Sequence, residues 1–232
     1  MAGAVVAILT VAMKVTLTFL LAALLFAIPA AAQDWSVGIA TGPFIFGDFA
    51  ERTLRVGTPE GGTTTSTDTL SGATRAGLAV DIERKLSDRL SFRLEGTFTE
   101  APLALGDGDF ELDAGNLDVA TFTVPLVFHV NPRGAFRFHL LAGPAYAAYH
   151  IDARENANQQ APIFEGTRNR WGYAAGIGLG WHINERFAIE AGVTDLVTES
   201  PFRREDFGSS LTTVDIPRTQ NVHSTIGLRI KF

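Results

Sequence analysis

The stretch Trp171-Gly-Tyr-Ala-Ala-Gly-Ile-Gly-Leu-Gly-Trp181 decides the fold. Read with a period of two, it sets Trp171, Tyr173, Ala175, Ile177, Leu179 and Trp181 against Gly172, Ala174, Gly176, Gly178 and Gly180. That period belongs to a β-strand with two unlike faces. A face of only Gly and Ala fits the cramped inside of a closed barrel. As the wet outside of a soluble barrel it would be unusual, so the bulky apolar face needs an apolar medium around it.

Seven more segments alternate in the same way: 35–41, 75–83, 90–98, 120–128, 136–146, 187–193 and 222–232. In 90–98, Leu90, Phe92, Leu94 and Phe98 oppose Ser91, Arg93, Glu95 and Thr97. Pro125 and Pro144 fall inside two of the strands, and because proline cannot donate to the ladder they predict bulges there. Short connections (Lys85–Asp88, Asn131–Gly134, Ile183–Arg186) alternate with long polar ones at about 47–72, 100–116, 151–169 and 198–221. Antiparallel neighbours joined in sequence put all tight turns at one end and all long loops at the other, as in an outer-membrane barrel. Spans of about ten residues suit a tilted strand crossing hydrocarbon. Trp35, Phe128, Phe136, Trp181, Phe187 and Phe232 are expected near the turn end, and Phe98, Tyr146, Trp171 and Tyr173 near the loop end. These are the two aromatic girdles of an interface-seeking barrel.

The amino end reads as export machinery. Lys14 is the lone charge of residues 1–32, followed by an apolar run from Val15 to Ile28 and then Pro29-Ala-Ala-Ala32. This predicts a signal peptide over 1–32, with Ala30 and Ala32 as the small cleavage-site residues and Gln33 as the first mature residue of a 33–232 barrel domain. Translation can start at Met1 or Met13. The competing reading, an uncleaved helix over Val5–Ala32, is long enough to span a membrane, but small residues end the run where a peptidase would cut.

The chain has 232 residues, formal net charge −6, no cysteine and 46% hydrophobic residues. Those values exclude a disordered chain, a disulfide scaffold and a thiolate metal site. The acidic balance argues against a nucleic-acid partner.

The last strand, Val222-His-Ser-Thr-Ile-Gly-Leu-Arg-Ile-Lys-Phe232, resembles the carboxy-terminal assembly signal of bacterial outer-membrane proteins, with Ile226, Leu228, Ile230 and Phe232 on one face. Together with the eight alternating strands, the chain looks like the small OmpA/OmpX-type, porin-like barrel family. The resemblance implies an eight-stranded antiparallel up-and-down transmembrane barrel in the outer membrane. It also implies contact with outer-membrane lipid and lipopolysaccharide, and with the barrel-assembly machinery during biogenesis. It does not extend to the peptidoglycan-binding domain of full-length OmpA-type proteins, so no cell-wall tether is expected.

The inward face is expected to carry the bases Arg75, Arg93, Arg137, Arg229 and Lys231, the acids Asp81, Glu83, Glu95 and Glu190, and His139 and His223. Eight strands leave an interior that side chains fill, so this near-balanced set predicts a plug. A gated ion path would use the same residues. His223-Ser224 invites comparison with lipid A deacylase barrels, but adjacent strand residues point to opposite faces and cannot share a proton there. No glycine-flanked nucleophile supports an enzyme. Asp107, Asp109, Glu111 and Asp113 alternate in the second long loop and form a weak calcium candidate, for which a solvated acidic loop is the simpler reading. The five histidines lack zinc-like spacing, and no cofactor is expected.

The expected protein is a monomeric outer-membrane barrel with a structural or surface-interacting role, meeting any extracellular partner through its long loops. The rivals are a narrow channel or carrier of small hydrophobic compounds, a lipid-modifying enzyme, and a soluble calycin-like barrel.

Overall fold

The computed structural model describes residues 34–57, 62–106, 111–153, 165–207 and 212–232. Its strands are β1 (Trp35–Ile45), β2 (Asp48–Gly57), β3 (Thr63–Gly72), β4 (Arg75–Lys85), β5 (Leu90–Gly106) and β6 (Glu111–Thr123). They continue as β7 (Leu126–His129), β8 (Phe136–Ala153), β9 (Gly166–His182), β10 (Phe187–Glu199), β11 (Thr212–Asp215) and β12 (Arg218–Lys231). The barrel runs β1, β4, β5, β6 with β7, β8, β9, β10 and β12, all antiparallel, and closes by pairing β12 with β1. Each expected strand is present. Closure removes the open edge that lipid could not satisfy.

The predicted irregularity at Pro125 is a break in one stave. β6 stops at Thr123 and β7 restarts at Leu126. Ladder hydrogen bonds persist through carbonyls, because Arg93 N donates to Pro125 O and Val124 N donates to Pro144 O, each at 3.0 Å. Pro144 itself stays within β8.

Glycine permits the tight closure at one seam. A methyl on Gly42 of β1 would collide with the Ser224 carbonyl of β12, so only a residue without Cβ lets the two strands coil that closely there.

The outer wall is apolar. Trp171 is 73% exposed, Ile226 60% and Leu228 55%, as a lipid-facing surface requires. This overturns the soluble-barrel alternative, which would turn these side chains inward. Across the strands, Phe136 stacks on Trp181 at the turn end, and Tyr146 meets Trp171 edge-on at the loop end. The ten-residue interval between these pairs spans about 25 Å of membrane at the usual rise and tilt.

The long connections contain more structure than their polar composition suggests. β5, β6, β8, β9 and β10 continue past the loop-end girdle, and above it the pattern inverts on β5, β6 and β8. On β5 the inward residues change from Arg93, Thr97 and Thr99 to buried Ala101, Leu103 and Leu105, while Glu100 faces out. Across the barrel wall, Leu117 and Val119 of β6 and Tyr149 and Ile151 of β8 are also buried inward. The wall is therefore inside-out where lipid surrounds it and apolar-in where water does. Each fully buried Leu or Phe there contributes about 1.5–3 kcal/mol. The top of β1 and the segments between staves complete this upper core: Phe44, then Phe46 and Phe49, Leu70, Phe202 and Phe207, and Val214. The β2–β3 hairpin fills the gap above β4 by pairing Thr69–Gly72 with the top of β5, and β11 adds to β2.

Candidate functional site

The lumen has two layers, and inward alternation builds both. The lower layer centres on Arg93 of β5 and Arg229 of β12, 5% and 3% exposed. Arg229 Nη2 donates to Asp81 Oδ1 at 2.6 Å and Nη1 to Ser36 Oγ at 3.0 Å, while its Nε lies 2.7 Å from Glu190 Oε1. Arg93 donates to Glu83 Oε2 through Nε and Nη2 at 2.9 and 2.6 Å, and reaches Glu190 at 3.4 Å and Asp81 at 3.7 Å. Two guanidiniums thus share three carboxylates in a cross-lumen lattice. Charged side chains can be that deep only because each has an opposite charge within reach. Gly38 of β1 makes room, since a Cβ there would strike the Asp81 carboxylate.

Not all the expected lumen residues join this lattice. Glu95 faces inward but makes no ion pair with either arginine; cross-strand register sets it opposite Asp81, a like charge. Arg75 is exposed and its register partner is Phe44, so it sits at the level of the upper core, far from the acids. His223 packs against the Phe44 ring with 5.4 Å between centroids and, among the described residues, has no charged partner. His139 is buried beside Gly178 and faces the His129 ring at 5.9 Å. Arg137 and Lys231 lie at the turn end: Arg137 Nε donates to Gly134 O at 3.4 Å, and Lys231 Nζ lies 3.2 Å from His182 Nδ1. Alternation gave each residue its face. The stagger between strands, which no single strand reveals, gave each its level.

Ser36, Ser91 and His129 were missed. His129 Nε2 bonds Ser91 Oγ at 2.7 Å and approaches Glu83 Oε1 at 3.4 Å, extending the lattice downward. In the sequence His129 carries no signal beyond its place at the end of an alternating strand.

The upper layer is an aromatic cap. Phe44, Phe46, Phe49, Tyr149, Phe202 and Phe207 form a chain of ring contacts, with neighbouring centroids 4.8 to 6.2 Å apart. The Tyr149 hydroxyl bonds Thr198 Oγ1 at 2.8 Å and accepts from Asn221 Nδ2 at 3.2 Å, which satisfies its buried polar tip. The first part of the last long connection, residues 200–207, is pinned over the mouth. Its 3₁₀ turn, Arg204–Phe207, presents Asp206 to the two terminal guanidinium nitrogens of Arg168, Nη1 and Nη2, and Ser200 Oγ donates to Phe49 O at 2.6 Å.

The remaining sequence expectations fall elsewhere. Asp107 and Asp109 of the calcium candidate lie outside the described residues, as does the Glu111 side chain, and Asp113 Oδ1 accepts from Gly115 N at 3.0 Å. Ala30, Ala32 and Gln33 also lie outside them. Ile226 and Leu228 project outward, and Phe232 N donates to Trp35 O at 3.0 Å, continuing the β1 pairing by one residue. His223 is buried inward and its neighbour Ser224 alternates to the other face of β12, so they make no nucleophile–base pair.

The sequence matches the outer membrane protein beta-barrel domain over residues 18–228. The fold resembles the outer membrane protein OprG from Pseudomonas aeruginosa, with TM-score 0.60 and 16% identity over 86% of this chain and 97% of that one. It also resembles the outer membrane protein AlkL, solved by solid-state NMR in lipid bilayers, with TM-score 0.53 and 11% identity over 86% and 90%. Neisserial surface protein A matches with TM-score 0.50 and 11% identity over 85% and 97%. No functionally curated protein matches the sequence.

Proposed function

This chain belongs to the outer membrane protein β-barrel family and resides in the bacterial outer membrane, and we propose that it serves there as a closed barrel with a structural or surface-contacting role. The observation that carries this reading is the double closure of the lumen. The Arg93–Arg229 lattice bridges the lumen on the turn side and the aromatic cap fills the loop-side half. Hydrated ions need a continuous wet path, and an eight-stranded barrel packed at two levels has little room for one. The pinned last loop and the β2–β3 hairpin then offer a firm outer surface for contact. Lipid and lipopolysaccharide surround the wall, and an extracellular partner would meet the loops.

Planar-bilayer recording of the purified barrel tests this. Silence over long recordings is expected, and steady conductance in the native protein would reject the closed barrel.

One observation favours a second reading, a carrier of small hydrophobic compounds. An apolar recess of about 520 Å³ lies where β6 breaks before β7, lined by Phe122, Val124, Pro144, Ala145, Tyr146 and Trp171. Uptake of a fluorescent hydrophobic probe into proteoliposomes, faster than into protein-free vesicles, would favour the carrier over the closed barrel.

A further inference from the structure

At the turn end, below the ion lattice, the barrel mouth holds a cavity of about 250 Å³. Lys231 of β12, Arg137 of β8, Arg133 in the turn before β8, Lys85, Asp88 and Asp34 line its rim, with Glu83 above. The charges there are unevenly matched. Lys85 is neutralised by Asp88 at 2.7 Å. Glu83 is engaged by Arg93 at 2.6 Å and by Arg229 at 3.6 Å. Among the described residues, no carboxylate is within ion-pair distance of Arg137, Arg133 or Lys231. Lys231 meets a second nitrogen base, His182, and Arg137 meets a single backbone carbonyl.

Asp34, Glu83 and Asp88 line the same cavity, but Glu83 and Asp88 are engaged by Arg93 and Lys85 and none of the three pairs directly with Arg137 or Lys231. Two cations sharing a half-enclosed mouth without a direct ion pair are costly, because like charges repel more strongly where water is thinned. A bound anion removes that cost. We propose that the turn-side mouth is an oxyanion site for a phosphate group, held between the Arg137 guanidinium and the Lys231 ammonium. Arginine offers a planar fork to two phosphate oxygens and lysine a compact point charge to a third. The volume is below that of pockets for drug-sized ligands and suits one phosphate with a small substituent and a few waters. Two sources supply this chemistry on the periplasmic side. One is free phosphate or a soluble phosphate ester. The other is the phosphodiester of an inner-leaflet lipid, whose headgroups lie at the level of the turn-end girdle to which Trp35, beside the same mouth, belongs.

The test uses the refolded mature chain in a neutral, phosphorus-free glycoside detergent, titrated into inorganic phosphate and followed by ³¹P line broadening. The native barrel should broaden the signal saturably. Arg137→Gln/Lys231→Gln should weaken binding at least tenfold, and Arg137→Gln alone should weaken it severalfold. Arg75→Gln, at the other end of the barrel, should bind like the native protein. No broadening by the native barrel overturns the proposal, as does equal binding by the native protein and Arg137→Gln. Nanodiscs then separate the sources. Weaker apparent phosphate binding in phosphatidylglycerol discs than in detergent assigns the site to lipid headgroups, and equal binding assigns it to soluble phosphate.

Discussion

Replacing Arg229 by methionine should destabilise the barrel strongly. The guanidinium is 3% exposed and holds Asp81 at 2.6 Å and Glu190 at 2.7 Å, with Glu83 at 3.6 Å. Methionine keeps much of the volume and removes the charge, so packing changes little while three carboxylates are left to Arg93. Glu83 keeps its 2.6 Å partner, but Glu190 and Asp81 are then served only across 3.4 and 3.7 Å. Breaking a buried pair on one side costs about 3–5 kcal/mol. Water entering from the turn-side cavity hydrates part of the freed charge, which places the expected loss near the lower bound, about 3 kcal/mol. That is about a hundredfold in the folding equilibrium. Glu95→Gln makes the contrast: the side chain is inward but unpaired with either arginine, and it faces the like charge of Asp81. Neutralising it should leave stability unchanged or raise it by up to about 1 kcal/mol. Urea titrations in phosphatidylcholine vesicles measure both changes. Fluorescence of Trp35, Trp171 and Trp181, all on the outer girdles, reports insertion, and the heat-modifiable gel band reports folding. Arg229→Met as stable as the native chain, or Glu95→Gln the more damaging of the two, would refute the lattice. A cycle pairing Arg229→Met with Asp81→Asn should show coupling above 1 kcal/mol, since the two groups touch.

Other outcomes follow from the same structure. Gly42→Val should prevent closure of the β1–β12 seam and abolish the folded band. Gly180→Ala should fold normally, because a Cβ there would meet nothing nearer than 3.6 Å. Deleting Phe232, which extends the β1 pairing and which the sequence resemblance places in the assembly signal, should slow insertion in cells and lower the folded fraction; unchanged kinetics would count against that role. Amino-terminal sequencing of outer-membrane material should return Gln33, and a mature product beginning at Met1 or Met13 would reject the cleavage site.

The sequence by itself determined the closed barrel and its membrane. Period two in 171–181 and seven other segments assigns every residue to a face, and the alternation of short and long connections orients the ends. Those are local properties, set by pleat geometry and chain connectivity. The inversion above the girdle was also written locally: Ala101, Leu103 and Leu105 alternate with Glu100, as do Leu117 and Val119 with Asp118. It passed as loop because the composition there is polar and the apolar phase moves to the opposite face. Only the tertiary structure decided which inward charges meet. Face is fixed by parity along one strand, but level is fixed by the stagger between strands and by closure of β12 onto β1. Those bring Arg93 and Arg229 to one height with Asp81, Glu83 and Glu190, and leave Glu95 unpaired. They lift Arg75 and His223 to the aromatic cap and leave Arg137 and Lys231 at the mouth. Stagger is a property of the closed sheet, summed over all eight staves, and no strand carries it alone.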